Sequence, residues 1–194
     1  MDSVREKEPD WFNGPVPSFG DTRARLLIVG LAPGLKGANR TGRPFTGDYA
    51  GDLLYSTLRR FSFSVGQFDP NADDDLELDD VIITNAVRCL PPQNKPIGSE
   101  ITNCRPYLAG LIDRLEHLRG ILLLGRIAHD TTLTTLGLRR ADYPFRHGAE
   151  HGVTDRITLF DSYHCSRYNT NTGRLTPELF DAVFAQIRRR LDET

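Results

Sequence analysis

Four short apolar runs limit what this chain can fold into: Arg25–Gly30 (RLLIVG), Val81–Ala86 (VIITNA), Gly120–Gly125 (GILLLG) and Arg156–Asp161 (RITLFD). They are β-rich and mostly lack the apolar–polar alternation of a half-exposed strand, the pattern of strands buried on both faces. Helical periodicity lies between and after them. Over 52–61 the apolar positions are Leu53, Leu54, Thr57, Leu58 and Phe61; over 100–118 they include Ile101, Leu108, Leu111, Ile112 and Leu115. A third helix is predicted over 176–191, opening on an N-cap threonine followed by Pro177. Strands alternating with helices predict an α/β fold, three layers deep (α/β/α), around a central, mostly parallel four-stranded sheet. With 194 residues the chain can bury roughly 70% of its unfolded surface, and a single domain over 1–194 is expected.

Composition removes several classes of function. No apolar run approaches the ~18–20 residues of a membrane-spanning helix. The charged opening Met1–Pro9 has no apolar core of a secretory signal, so a cytoplasmic protein, not secreted and monomeric, is expected. A net charge of −2 argues against a uniformly basic nucleic-acid binder but leaves room for a basic face. The only lysines are Lys7, Lys36 and Lys95, so most cationic contacts have the guanidinium geometry that suits phosphate. Three cysteines, Cys89, Cys104 and Cys165, are too few and too odd for a disulfide scaffold and point to a reducing compartment. The acidic run Asp69–Asp80 reads as a solvated surface loop.

In open parallel sheets, ligands sit at the carboxyl ends of the strands. The first run is followed by Gly30-Leu31-Ala32-Pro33-Gly34, the second ends near Asn85, and the fourth leads into Ser162-Tyr163-His164. The glycines of Gly30–Asp48 let backbone amides approach a ligand, or simply make a tight loop. Neither a Gly-Lys-Ser/Thr phosphate loop nor a G-x-G-x-x-G fingerprint is present. Asn85 is either a satisfied buried amide or a fixed amide that pairs with N3–H and O4 of a uracil edge. Thymine presents the same edge, so its methyl would have to be excluded sterically. Asp48 is either a helix N-cap or a carboxylate that orients water and stabilises a cationic centre. His164 is either structural or a polar group facing the other two strand ends. His147 and His151 are four apart, but Gly148 beside them argues against a zinc helix.

These sites, in this order, resemble the uracil-DNA glycosylase superfamily, most closely its family 5 (type b). The family's GLAPA motif and GANRTGR-x-FTGD stretch are matched by Gly30–Gly34 and Gly37–Asp48. Its asparagine-bearing strand, arginine, cysteine and P-P-x-N-K-P loop are matched by Ile83–Cys89 and Pro91–Pro96. Its H-P-S-x-x-N-T-x-T-G-R-L segment resembles His164–Leu175, and Pro15–Asp21 resembles its lead-in. The likeness covers nearly the whole chain.

The resemblance implies a monofunctional glycosylase that flips uracil, and other deaminated bases such as hypoxanthine, out of DNA and hydrolyses the glycosidic bond. Phe45 would stack on the base and Asn85 would bind its edge. His164 would stabilise charge on the leaving base near O2, and Asp48 would hold the water and stabilise the cationic sugar. Backbone at Gly30, Leu31 and Ala32 would line the pocket. Phosphate contacts would come from Arg40, Arg43, Arg167 and Arg174 with Ser166 and Asn169, positioning the duplex without reading its sequence. A residue of the loop after His164, Tyr168 or Leu175, would wedge into the duplex.

Three departures stand out. Relatives outside this branch carry an acid or asparagine in the first motif; Leu31–Gly34 here is apolar or small, which shifts weight to Asp48 and implies a roomier pocket. Cys165 stands where the family has a proline. Relatives also hold a [4Fe–4S] cluster on four cysteines. Cys89 and Cys104 match two, while the other two would lie in a C-x-x-C run upstream of Met1, so the expected ligand set is incomplete: either the start is assigned late or the cluster is lost. Alternative readings are a catalytically weak DNA-binding or damage-sensing relative, and an unrelated nucleotide-binding α/β enzyme. The presence of Phe45, Asp48, Asn85 and His164 argues against the first, and the missing phosphate fingerprint against the second.

Overall fold

The computed structural model describes residues 2–193. Its elements, in chain order, are α1 (Asp2–Lys7), β1 (Phe19–Gly20), β2 (Leu26–Gly30), α2 (Ala38–Thr41), α3 (Tyr49–Arg60), β3 (Ser64–Val65), β4 (Glu77–Leu78), β5 (Val81–Asn85), α4 (Gly98–Arg114), β6 (Gly120–Leu124), α5 (Arg126–Thr135), β7 (Glu150–Gly152), β8 (Thr158–Ser162), α6 (Arg167–Asn171) and α7 (Pro177–Asp192). The four apolar runs are the four central strands. They pair in parallel in the order β5-β2-β6-β8, and every residue of each is buried.

The sheet has six strands rather than four. Short antiparallel strands close both edges, β1 on β5 and β7 on β8. They were missed because two- and three-residue segments carry no periodicity, and Phe19-Gly20 and Glu150–Gly152 are only partly buried. A separate β3–β4 pair sits beyond the sheet.

Alternate strand residues feed two cores, which makes the layers. Leu26 and Ile28 point to the side of Leu54 and Leu58 of α3 and Phe180, Phe184 and Ile187 of α7. Leu27 and Val29 point to the side of Leu108 and Leu111 of α4 and Ala128 and Leu133 of α5. Burial of these two faces is the main stabilising term, at roughly 25 cal/mol per Å² of apolar surface.

Helix α3 starts three residues before the periodicity does, because the Asp48 carboxylate accepts from the Ala50 and Gly51 amides. Thr176 caps α7 on the Leu179 amide, with Pro177 at the first helical position. Helix α5 escaped the sequence reading. Its RIAHDTTLTT is dense in β-branched threonine, a weak helix former. It persists because Ala128, His129, Thr131, Thr132 and Leu133 are buried, while Thr134 and Thr135 donate back to carbonyls four residues earlier at 2.8 Å.

The acidic run is not wholly solvated. Asp80 pairs with Arg25 at 2.6 Å, and Asp74, only 4% exposed, pairs with Arg43 at 2.6 Å. Among the described residues no helix is long and apolar enough to cross a membrane.

Candidate active site

The carboxyl ends of β2, β5 and β8 meet around one small cavity, about 30 Å³, lined by Ala32, Gly34, Ala38, Phe45, Asp48, Ala50, Asn85 and His164. Sheet register builds its first wall. Gly30 and Asn85 end β2 and β5 opposite each other, and the ladder continues through Ala86 N–H to Gly30 and Val87 N–H to Leu31. Only glycine fits at position 30: a Cβ there would lie 2.4 Å from Asn85 Oδ1 and 2.5 Å from the Phe45 ring. The Leu31 carbonyl is spent on this ladder; of the three backbone positions expected to line the pocket only Ala32 does so, and Gly30 lies behind Asn85 and Phe45.

Phe45 takes a left-handed backbone, φ +56°, uncommon for a bulky residue and held only where neighbours fix it. Tyr55 donates its hydroxyl to the Pro44 carbonyl at 2.7 Å. The Phe45 carbonyl packs so tightly on Gly51 that a Cβ there would lie 1.9 Å away. Gly51 is thus a support that sequence reasoning missed; a glycine in the first turn of a helix was the available signal. The Phe45 ring is stacked against His164, centroids 5.8 Å apart and planes 25° apart.

Asp48 serves two tasks at once. Oδ1 caps α3, at 3.1 Å from Ala50 N and 3.3 Å from Gly51 N. Oδ2 faces Gly34 and Gly37. Asp48 is exposed as a residue on the open groove, but local desolvation of its carboxyl raises it above the ordinary range, against the opposing pull of the Gly51 and Ala50 amides. His164 follows β8. Burial pushes its imidazole down to about 4, so it is neutral at pH 7. Its Nδ1 is sealed and has no hydrogen-bond partner among the described residues, while Asn169 Nδ2 donates to its carbonyl at 2.8 Å.

An open groove of about 330 Å³, lined by Gly47–Ala50, His164, Ser166 and Arg167, adjoins the cavity. Arg167 is exposed there over the Tyr49 ring at 5.9 Å. Arg40 is half-exposed beside Gly47, its Nε on the Lys36 carbonyl, and Arg174 is exposed with its guanidinium 4.3 Å from the Tyr163 ring centroid.

Several sequence expectations are corrected. Arg43 does not face solvent: it donates to both Asp74 oxygens at 2.7 and 2.6 Å and lies among the rings of Phe19, Tyr55 and Phe68. Desolvated and paired, it braces the loop and is not available to a phosphate. Asn169 donates to the His164 carbonyl, and Ser166 caps α6 while it lines the open groove. Of the two wedge candidates, Leu175 is fully buried and Tyr168 is 73% exposed. Nor is the pocket roomy. Ala32 and Gly34 are small, yet the cavity they line with the stacked Phe45 and His164 rings holds only about 30 Å³.

Sequence reasoning also passed over Asp161. It is fully buried on β8, with His129 Nδ1 at 2.7 Å and His151 Nε2 at 3.4 Å.

Cys89 and Cys104 are both half-buried free thiols, and Cys89 lines a larger groove, about 560 Å³, with Leu35, Pro91–Asn94 and Glu100. Burial, and then the neighbouring Cys104, push the Cys89 thiol up. Among the described residues no group of three or more histidine, cysteine, aspartate or glutamate side chains is placed to hold a metal ion. Two neighbouring thiols do not by themselves complete a four-cysteine cluster.

The model of the uracil DNA glycosylase superfamily matches residues 17–188. A type-5 uracil-DNA glycosylase of Thermus thermophilus is 46% identical over 94% of this chain and 82% of its own length. One of Mycobacterium tuberculosis is 40% identical over 94% and 68%. A type-4 uracil-DNA glycosylase of Sulfurisphaera tokodaii is 32% identical over 87% and 72%. With a family match across most of the chain and the strand ends gathered round one cavity, this protein belongs to the uracil-DNA glycosylase superfamily, alongside its type-5 members.

Proposed function

We propose that this chain removes uracil from DNA by hydrolysing the glycosidic bond and leaves an abasic site. The observation that carries the reading is the convergence of Phe45 and Asp48, Asn85, and His164, from three separate segments, on one cavity at the carboxyl edge of the sheet. The type-5 and type-4 relatives' names carry the same activity.

The chemistry follows from the groups. A base flipped into the cavity would lie against Phe45, with the Asn85 amide matching its N3–H and O4. As the C1′–N1 bond lengthens, positive charge grows on the sugar and negative charge on the base. A neutral His164 is a hydrogen-bond donor to that base without adding a full charge to a dry site. Its sealed Nδ1 has no partner among the described residues to compete. The Asp48 carboxylate, one oxygen fixed by α3, holds its other oxygen for a water and for the cationic sugar. Water adds its hydroxyl to C1′, its proton passes to Asp48, and the base leaves as an anion to be protonated in solvent. No lysine lies in the cavity lining, so no strand nicking accompanies excision. Tyr168 is the wedge, and Arg40, Arg167 and Arg174 grip phosphates.

Deaminated purines such as hypoxanthine belong to the same reading, but a purine requires Phe45 and His164 to part further than uracil does.

The test is incubation with duplex oligonucleotides holding one U:G or hypoxanthine:T pair. Free uracil with an intact abasic strand is expected, with slower release of hypoxanthine. Binding to the duplex without release of either base would overturn the reading in favour of a binding module.

A further inference from the structure

The sheet ladder ends before the catalytic histidine. Gly125 N–H takes the Ser162 carbonyl at 2.8 Å, and beyond it the chain enters a loop. A backbone N–H there needs another partner. Tyr163 N–H finds it in Nδ1 of His147, at 3.2 Å. The His147 ring lies flat on the Tyr163 ring, centroids 5.0 Å apart and planes 11° apart. The same Tyr163 ring carries Arg174, 4.3 Å from its centroid. His147 comes from the connection between α5 and β7 and touches neither cavity nor groove. Burial pushes its imidazole down, against the Leu179 carbonyl, so the ring is neutral and its acceptor is open at neutral pH.

We propose that His147 is a positioning residue: its unprotonated Nδ1, by holding the Tyr163 N–H, sets where His164 enters the cavity and ties that position to Arg174 on the DNA-facing loop. Asn169 holds the carbonyl on the other side of His164, so two side chains do here what register does for Asn85. The expected effect on rate rests on the glycosylase reading; the geometry does not.

Two variants separate positioning from mere packing. His147→Phe keeps a flat ring on Tyr163 and removes the acceptor. His147→Asn gives up the ring and offers Oδ1 where Nδ1 stood. Single-turnover uracil release and duplex Kd are measured for each. His147→Phe is expected to lose about 10- to 100-fold in rate with Kd changed less than about threefold, since misplacement near 1 Å costs on that order. His147→Asn should recover most of the rate. Full rate in His147→Phe, or equal losses in both variants, would overturn the proposal. A second readout needs neither variant nor activity: long-range nitrogen–proton NMR of the unmodified protein at pH 7.5 should show His147 protonated on Nε2 alone. A proton on Nδ1 would overturn it, whether or not the chain excises uracil.

Discussion

The two walls of the cavity are held in different ways. Gly30 and Asn85 face each other because β2 and β5 pair in register, and the ladder runs on to Ala86 and Val87. His164 stands past the end of its ladder and depends on side chains from elsewhere: His147 through Tyr163, and Asn169 through its own carbonyl. A wall fixed by register resists every substitution except one that intrudes on it. A wall fixed by side chains can be loosened from a distance. The difference also decides what a sequence shows, since register follows from apolar runs and a brace of distant side chains does not.

The sharpest way to break the first wall is to fill it. Gly30→Ala should lose uracil release about 100-fold or more, because its Cβ must displace both the Asn85 amide and the Phe45 ring. Single-turnover release reads this, and duplex binding should persist because the proposed phosphate contacts of Arg40, Arg167 and Arg174 are untouched. A wild-type rate would mean that the Gly30–Asn85–Phe45 contact is not the base site.

Arg43 tests whether the loop bearing Phe45 and Asp48 has a brace of its own. Arg43→Ala leaves Asp74 buried and unpaired and should cost about 3 kcal/mol in a denaturant melt. The Arg43 guanidinium holds the Asp74 carboxyl down at about 2. A depressed folded value means that this contribution is present above the ordinary carboxylate value near 4. It is lost as pH falls from there toward 2. Asp74→Asn should remove that part of the acid sensitivity; unchanged acid unfolding would show that the pair is not its source.

Removing recognition rather than space is a smaller step. Asn85→Ala should lose roughly 1–3 kcal/mol of transition-state stabilisation through the unpaired base edge, with uracil favoured less over other bases. An unchanged preference would remove Asn85 from the reading. Smallest of all, Gly34→Ala should be near neutral, within about 0.5 kcal/mol of stability. A Cβ there meets only Asp48 Oδ2, at an ordinary 3.5 Å. A large loss would show that Asp48 is held more tightly than its contacts imply.

Much of the fold was legible. Two-faced apolar runs gave the four parallel strands, and the Asp48 and Thr176 caps were readable as residue types. What stayed hidden was set by tertiary context. Helix α5 has a composition that opposes helix and survives through burial. Arg43 reads as an exposed cation until three rings and Asp74 surround it. Leu175 and Tyr168 are equivalent as letters, and only packing sends one into the core. The order Phe45, Asp48, Asn85, His164 followed from a family likeness and from strand ends, whereas His147 lies on neither trail.

Asp48 and His164 are proposed to act on one flipped nucleotide in one cavity, Asp48 on the water and sugar and His164 on the base. Single-turnover uracil release, followed from pH 4 to 9 for the wild type, Asp48→Asn and His164→Ala, tests this central proposal most directly. The wild-type rate should rise with pH through a carboxylate step above the ordinary Asp range, the direction in which local desolvation moves Asp48. It should then stay level, because His164 is already neutral. Asp48→Asn should be slow and lack that step; His164→Ala should be slow and keep it. Wild-type rates in both variants, or an acid limb that survives in Asp48→Asn, would contradict the account.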